Sequence, residues 1–229
     1  MSQAVRSMFA AIAPKYDAAN DVLSFGLHRA WRRAAVRLSG VGTGQEVLDC
    51  ASGTGDLALA FKRAVGPSGG VVGTDFCAEM LERAPEKAAR AGLEVAFQVA
   101  DVMALPFADR SFDVASIAFG IRNVDDPRKG LAEMARVVRP GGRVVVLEFG
   151  QPTGPFGAAY RAYSRFVVPL AGWAVTGARD AYEYLPRTAA AFPAGERFLA
   201  FMDESQAFAA RRATALLLGT AYVYVGDVA

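Results

Sequence analysis

The sequence predicts a Rossmann-like α/β domain: a mostly parallel seven-stranded sheet with helices on both faces and an antiparallel strand pair at its C-terminal end. Three observations carry this. Short β-type runs alternate with helix-type stretches from Val47 to Gly150, the pattern of βαβ units on a parallel sheet. A glycine turn, Gly53-Thr54-Gly55, lies between the first run and the first helical stretch, where a tight turn and close ligand approach both favour residues without a Cβ. Asp75 and Asp101 follow the second and third strands, at the carboxyl edge where open α/β sheets bind ligands.

Taken in order, residues before about Val41 read as a basic amphipathic helical region. Leu23, Leu27, Trp31, Ala34, Ala35 and Leu38 recur near helical spacing, with Arg29, Arg32, Arg33 and Arg37 on the other side. Strands are expected at Glu46–Cys50, Gly70–Thr74, Val95–Val99, Phe112–Ala118 and Arg143–Phe149, each short and apolar as buried parallel strands are. Helices are expected over Leu57–Ala64, Ala78–Ala91 and Asp126–Val138, the last stopped by Arg139-Pro140-Gly141-Gly142. After the Gln151–Pro155 loop comes an aromatic-rich stretch to about Phe208 without βα alternation, expected to form inserted helices serving as a lid or substrate-binding element. Two β-type pieces around Leu218-Gly219-Thr220, within Ala213–Val225, suit the closing pair. The expected organisation is one domain: a helical cap at 1–41, a cofactor-binding core at 42–150, lid helices at 151–210 and closing strands at 211–229.

At 229 residues the chain is long enough for such a domain with added helices and too short for two catalytic domains. A net charge of +2 gives no field for gripping a nucleic-acid backbone, which argues against nucleic acid as a partner. The N-terminal apolar stretch, Met8 to Ala13, is short and ends at Pro14-Lys15, unlike a secretory signal. The longest uncharged run, Phe166 to Ala178, contains Pro169, Gly172 and Gly177 and falls below the roughly 18 to 20 apolar residues a span requires. Cys50 and Cys77 lack CxxC spacing and His28 is the single histidine, so packed thiols in a reducing cytoplasm are expected, and no protein-borne metal site.

The residues around the glycine turn leave two cofactor readings. A dinucleotide enzyme also places an acid after its second strand, but over a pyrophosphate it normally offers Gly-x-Gly-x-x-Gly. Here Asp56 and an apolar helix follow Gly55. A carboxylate repels a phosphate, whereas the sulfonium and amino group of S-adenosylmethionine tolerate or favour acids, so charge favours S-adenosylmethionine. Taken singly, each acid can also be the N-cap of the next helix.

The strings MFAAIAPKYDAANDVLSFGLHRAWRR, VLDCASGTGD, ALPFADRSFD, FGIRNVDDP, RVVRPGGRVVVLEF and YEYLPRTAAAFP resemble, in sequence and order, the UbiE/MenG quinone C-methyltransferases, from about Met8 to Gly226. The resemblance implies a Rossmann-like class I methyltransferase that methylates a ring carbon of a reduced prenylated quinone. Demethylmenaquinol is the leading substrate and the benzoquinol counterpart of ubiquinone biosynthesis the alternative. It implies S-adenosylmethionine contacts at Thr54, Asp75 and Asp101-Val102, with Ala118 beside the cofactor where some members carry serine. Asp49, Gly53, Gly55 and Phe76 complete the cofactor set. An aromatic carbon attacks a methyl group only when a neighbouring hydroxyl is close to deprotonated, so Arg122 and Asn123, after the fourth strand, are candidates to stabilise and orient a phenolate. Tyr16 and His28, from the region expected to close over the site, complete the catalytic set. A salt bridge to Asp125 or Asp126 is the plain alternative for Arg122, and a structural hydrogen bond at a helix end for His28.

Tyr160, Tyr163, Phe166, Val167, Leu170 and Trp173 recur at helical spacing beside Arg161 and Arg165, which fits a core-facing helix or a membrane-facing edge. With the basic N-terminal helix this motivates an expectation of transient peripheral contact at the inner face of the membrane; a homodimer stays open. The sequence departs from the family at Met202–Ala210, where Gln206 stands in place of a glycine, so the closing strands are expected to be looser or differently connected. Other readings are methylation of another small phenol or polyketide, and a non-catalytic S-adenosylmethionine-binding protein. The motifs of nucleic-acid methyltransferases are missing.

Overall fold

A computed structural model describes residues 3–229 of the chain; the first two residues of the expected cap lie outside them. Three N-terminal helices, α1 (Gln3–Ile12), α2 (Tyr16–Ser24) and α3 (Leu27–Ser39), precede the core. The core then runs β1 (Val47–Cys50), α4 (Asp56–Val65), β2 (Val71–Asp75), α5 (Ala78–Leu81), α6 (Ala84–Arg90), β3 (Ala96–Val99), β4 (Phe112–Ala118), α7 (Pro127–Val137) and β5 (Val138–Phe149). Four helices follow: α8 (Gly154–Ala162), α9 (Val168–Thr176), joined to α8 by a π-helical segment at Tyr163–Val167, α10 (Arg179–Ala191) and α11 (Glu196–Asp203). Strands β6 (Phe208–Leu216) and β7 (Ala221–Val228) close the chain. The seven strands order as β3-β2-β1-β4-β5-β7-β6, parallel except for β7, which runs antiparallel to both neighbours.

Each face of the sheet buries its own apolar layer. Alternate residues of β5 decide the sides: Val145 and Leu147 join Trp31, Ala35, Leu57 and Phe61 from α3 and α4, whereas Val144 and Val146 join Leu131, Met134, Phe198 and Met202 from α7 and α11, as period-two alternation requires. Helix α11 therefore belongs to the sheet's outer layer and not to the lid expected over 151–210. A third cluster, built from Ile12, Ala19, Val168, Ala181 and Tyr182, ties α1 and α2 to α9 and α10. The cap and the inserted helices thus share one small core beside the sheet.

Several boundaries differ from expectation for identifiable reasons. The helix expected over Ala78–Ala91 is two, because Pro85 opens α6, where a missing N–H does no harm. Asp126 is the N-cap of α7, its carboxylate accepting from the N–H groups of Arg128 and Lys129. Strand β5 begins at Val138, paired with Phe112, and bulges before Arg143 joins Val114. Strand β6 starts at Phe208, five residues before the stretch expected to be β. Gln206 takes the left-handed conformation, φ +53°, that a glycine would supply freely, at a cost of about 1–2 kcal/mol. The closing pair keeps its register from Leu216–Ala221 to Phe208–Val228 with one bulge, so it is neither looser nor differently connected.

Candidate active site

Between β1 and β4 the strand order reverses, and the loops after these two strands meet at the carboxyl edge, where open sheets form their ligand crevice. Their approach is close. A Cβ on Gly120 would lie 2.5 Å from that of Ala51. Ala51 and Phe119, the first residue after each strand, both take positive φ, +48° and +55°. Strain of this kind, of order 1–3 kcal/mol per residue, persists where surrounding structure over-determines the backbone.

The first loop is held by carboxylates. Asp49 is buried and accepts from the hydroxyls of Ser52 (2.6 Å) and Ser116 (2.8 Å); burial pushes its carboxyl up to about 6. Asp75, at the end of β2, accepts from the N–H groups of Gly53 and Cys77, both at 2.9 Å, and burial likewise pushes it up to about 6. Gly53 and Gly55 take φ +56° and +87°, leading the chain from β1 into α4. Beyond these bonds and a further one from the Phe76 N–H, Asp75 keeps acceptor capacity for a ligand. Phe76 is half-buried beside it, under the Arg6 guanidinium at 6.0 Å. Asp101 accepts from the Met103 N–H at 2.9 Å, and Val102 packs into the core; both lie beyond the end of β3.

The cap is fastened to this loop by charge. Thr54 Oγ1 donates to Asp17 Oδ1 (2.6 Å), and Lys87 Nζ reaches Asp17 (2.9 Å), Thr54 (3.1 Å) and Asp56 (2.5 Å). Burial raises the Asp56 carboxyl, but Arg32 and Lys87 outweigh it and hold the group below its usual range. Between loop and cap remains a narrow cleft of about 20 Å³, walled by Tyr16, Arg32, Asp49, Ser52, Gly53 and Ala118 among others.

A far larger cavity, about 820 Å³, opens on the other side of Tyr16 and Arg32, which line both spaces. Its walls come from α1–α3, α8–α10, the π-helical segment and the loops after β4 and β5, and they include Ile12, Trp31, Phe119, Phe149, Tyr160 and Tyr184. Arg122 lines it too. Its partner is neither Asp125 nor Asp126 but Glu148 of β5: NH1 to Oε1 is 2.8 Å, with side chains 4% and 1% exposed. The same nitrogen donates to the Phe119 carbonyl at 2.7 Å, and the guanidinium sits over the Phe149 ring at 5.2 Å. Burial raises the Glu148 carboxyl, against the pull of Arg122.

Asn123 is buried and is absent from the cavity wall; its carboxamide oxygen accepts from the Tyr184 hydroxyl at 3.1 Å, and Tyr184 does line the wall. His28 lines the wall with both ring nitrogens engaged. Arginine can only donate, so Nδ1 accepts from Arg32 NH1 and Nε2–H donates to Asp21 Oδ1 at 2.7 Å. Burial lowers His28 below its usual range, so the ring is neutral near pH 7. The bonding is that of a structural histidine, because no ring nitrogen is left to take a substrate proton.

Sequence reading missed Arg32, Glu148, Tyr184 and Lys87. Arg32 was expected on the solvent side of its helix, yet its side chain is only 11% exposed, because residues 28, 31, 32 and 35 share the inward stripe. Glu148 did leave a signal, as a lone carboxylate in an apolar central strand.

Comparison with known proteins places this geometry. The model of the ubiE/COQ5 methyltransferase family matches residues 1–226. The chain belongs to that family. A Bdellovibrio bacteriovorus relative, a ubiquinone/menaquinone biosynthesis C-methyltransferase UbiE, is 55% identical over 98% of this chain and 95% of its own. Demethylmenaquinone methyltransferases of Deinococcus radiodurans and Thermus thermophilus are 47% and 48% identical, over 98% and 96% of this chain and 92% and 99% of theirs. Among solved structures, a SAM-dependent methyltransferase of Thermotoga maritima superposes with a TM-score of 0.69 at 19% identity, covering 96% of this chain and 98% of that one, and one of Aquifex aeolicus with 0.61 at 18%, covering 86% and 89%. These two share the fold.

Proposed function

We propose that the protein transfers a methyl group from S-adenosylmethionine to a ring carbon of a reduced prenylated quinone precursor, demethylmenaquinol in the first instance. The observation that carries this reading is the pairing of the two spaces across Tyr16 and Arg32: a narrow cleft at the glycine loop of the sheet edge and a large aromatic cavity with the buried Arg122 in its wall. The names of the Deinococcus and Thermus relatives support the menaquinol substrate.

The donor set fits the sulfonium cofactor. Asp49 and Asp75 hold the glycine loop by hydrogen bonds to hydroxyls and backbone N–H groups, whereas Asp17 and Asp56 share Lys87; each of the first two about 5 Å from a phosphate would cost roughly 3 kcal/mol at an effective dielectric of about 20. A pyrophosphate is therefore disfavoured and a cation welcomed. Asp75 would hold the ribose hydroxyls, Asp101-Val102 and Phe76 the adenine side, and Asp49, Gly53, Thr54, Gly55 and Ala118 the amino-acid end and sulfur. Bound S-adenosylmethionine supplies an electrophilic methyl group, so the ring carbon gains a C–C bond, the C–S bond breaks with its pair passing to sulfur, and one proton is released. Arg122 faces the cavity as a guanidinium that stabilises the phenolate, kept in place by Glu148. Tyr184, anchored by Asn123, and Tyr16 orient the ring. His28 acts through Arg32.

The quinol also has a prenyl tail, which asks for an apolar approach. Val22, Phe25, Phe166, Val167, Leu170 and Trp173 are exposed on α2 and the α8–α9 segment, and Phe25 packs near Tyr163, which lines the cavity. With Arg161 and Arg165 beside them, they form a face for transient contact with an anionic membrane at the cytoplasmic side. Among the described residues no helix is long and apolar enough to cross a membrane.

The test is methyl transfer from labelled S-adenosylmethionine to a short-chain demethylmenaquinone, with and without dithionite, beside the benzoquinone counterpart. Turnover is expected only on the reduced naphthoquinone and is expected to fall about 10²- to 10³-fold in Arg122→Ala. Equal turnover on the oxidised quinone would refute the mechanism.

A further inference from the structure

Among the described residues that wall the narrow cleft, Arg32 is the one cation and Asp49 the one carboxylate. Arg32 is held from several sides: by His28 Nδ1, by the His28 carbonyl at 3.5 Å, and by the Phe119 ring at 6.0 Å. Its charge is poorly answered. The ion pair with Asp56 Oδ2 is 4.0 Å long, and the other oxygen of Asp56 is bonded to Lys87 at 2.5 Å. A largely buried guanidinium that makes no hydrogen bond to a carboxylate among the described residues, its ion pair stretched to 4.0 Å and shared with Lys87, is costly and is pre-organised to receive one.

The donor named above ends in a zwitterion, an α-carboxylate and an α-ammonium on one carbon. A site for such a group needs a cation and an anion in a single cleft, and Arg32 and Asp49 line the same narrow cleft, each within the electrostatic reach of the other. We propose that Arg32 takes the carboxylate of the methyl donor's amino-acid end and Asp49 its ammonium. The assignment rests on S-adenosylmethionine being the donor. It orients the molecule, with the amino-acid head at α3, the ribose at Asp75, and the sulfur between them, facing the wall shared with the large cavity.

The experiment measures binding, without turnover. S-adenosylmethionine and its decarboxylated analogue, which keeps the sulfonium and the ammonium, are titrated calorimetrically into the wild-type protein, Arg32→Gln and Arg32→Lys. The wild type is expected to prefer the carboxylate-bearing ligand by about 10- to 100-fold, as one charge-assisted bond allows. Arg32→Gln should lose that preference while binding the analogue as the wild type does, and Arg32→Lys should keep part of it. An undiminished preference in Arg32→Gln would overturn the proposal. An equal loss for both ligands would overturn it too, by making Arg32 a support for the cap. Should Arg32→Gln fail to fold, Arg32→Lys decides: a reduced preference for the carboxylate-bearing ligand with the analogue bound as by the wild type is expected, and an equal loss of both ligands would count against the assignment. Binding of neither ligand by the wild type would instead remove the donor reading on which it rests.

Discussion

The glycine-loop cleft and the helical cavity use opposite means. At the loop nearly every polar atom has a short hydrogen bond, the backbone is strained on both sides, and about 20 Å³ is left. In the cavity about 820 Å³ is enclosed by helices whose own core is a small cluster of five buried side chains, and the charges in its wall are mostly arginines, Arg32, Arg122, Arg161, Arg165 and Arg187. The sheet edge spends its bonds on fixing where a methyl group is presented. The helices provide room and a largely apolar surface, on the proposed reading for a bulky acceptor.

This contrast can be broken at either end. Glu148→Ala should have the largest effect on the cavity side, because it strands the Arg122 guanidinium: about 3–5 kcal/mol of stability, roughly a 10 °C fall in melting temperature for a chain of this size, with turnover lost. Glu148→Gln, which keeps an oxygen for Arg122, should be milder in both calorimetry and assay. On the loop side Asp75→Asn should weaken S-adenosylhomocysteine about 100-fold by titration, the loss of charged bonds to two hydroxyls, with a smaller fall in melting temperature than Glu148→Ala, because one of the backbone N–H groups that Asp75 holds loses its acceptor. A similar loss of cofactor affinity in Glu148→Gln would show that the two regions are not separable.

Replacing Phe166 and Trp173 by serine should reduce sedimentation with anionic vesicles by about tenfold or more, as removal of two exposed apolar anchors implies. Turnover on a short-chain quinol in solution should stay unchanged, since neither side chain lines the cavity. The smallest effect is with pH. Asp49 and Asp75 have folded-state values raised to about 6, so both are ionised above about pH 7 and become protonated as pH falls through 6. Cofactor affinity should be flat above pH 7 and fall below 6, by at most about tenfold per unit for each carboxylate. A flat profile down to pH 5 would mean that neither carboxylate meets the ligand in its charged form.

The two regions were also unequally legible in the sequence. Strands β1, β2 and β4 and the glycine turn were readable to within a residue, because a buried parallel strand and a tight turn write their requirements locally. Strand β6 was not: its residues Phe208–Leu216 are largely exposed and carry Arg211 and Arg212, so pairing with β7 and not composition makes it a strand. Within the site, Asp75 could be singled out from its place after the second strand, whereas Thr54 came only with the family resemblance. Arg32 could not, since nothing local separates it from Arg29, Arg33 and Arg37; only the packing of α3 against the loop turns it inward. The partner of Arg122 was unreadable for the same reason: Glu148 lies 26 residues away in sequence and on the neighbouring strand.

Tyr16 and Arg32 belong to both walls, so on the proposed reading the donor and the quinol press on the same two side chains and their affinities are linked. Whatever factor the quinol gains in affinity from a filled donor site, the donor must gain from a filled quinol site, because the coupling free energy is one quantity read from two directions. A change of prenyl length that alters the fit around Tyr16 is then felt as a change in cofactor affinity, although the tail never touches the cofactor.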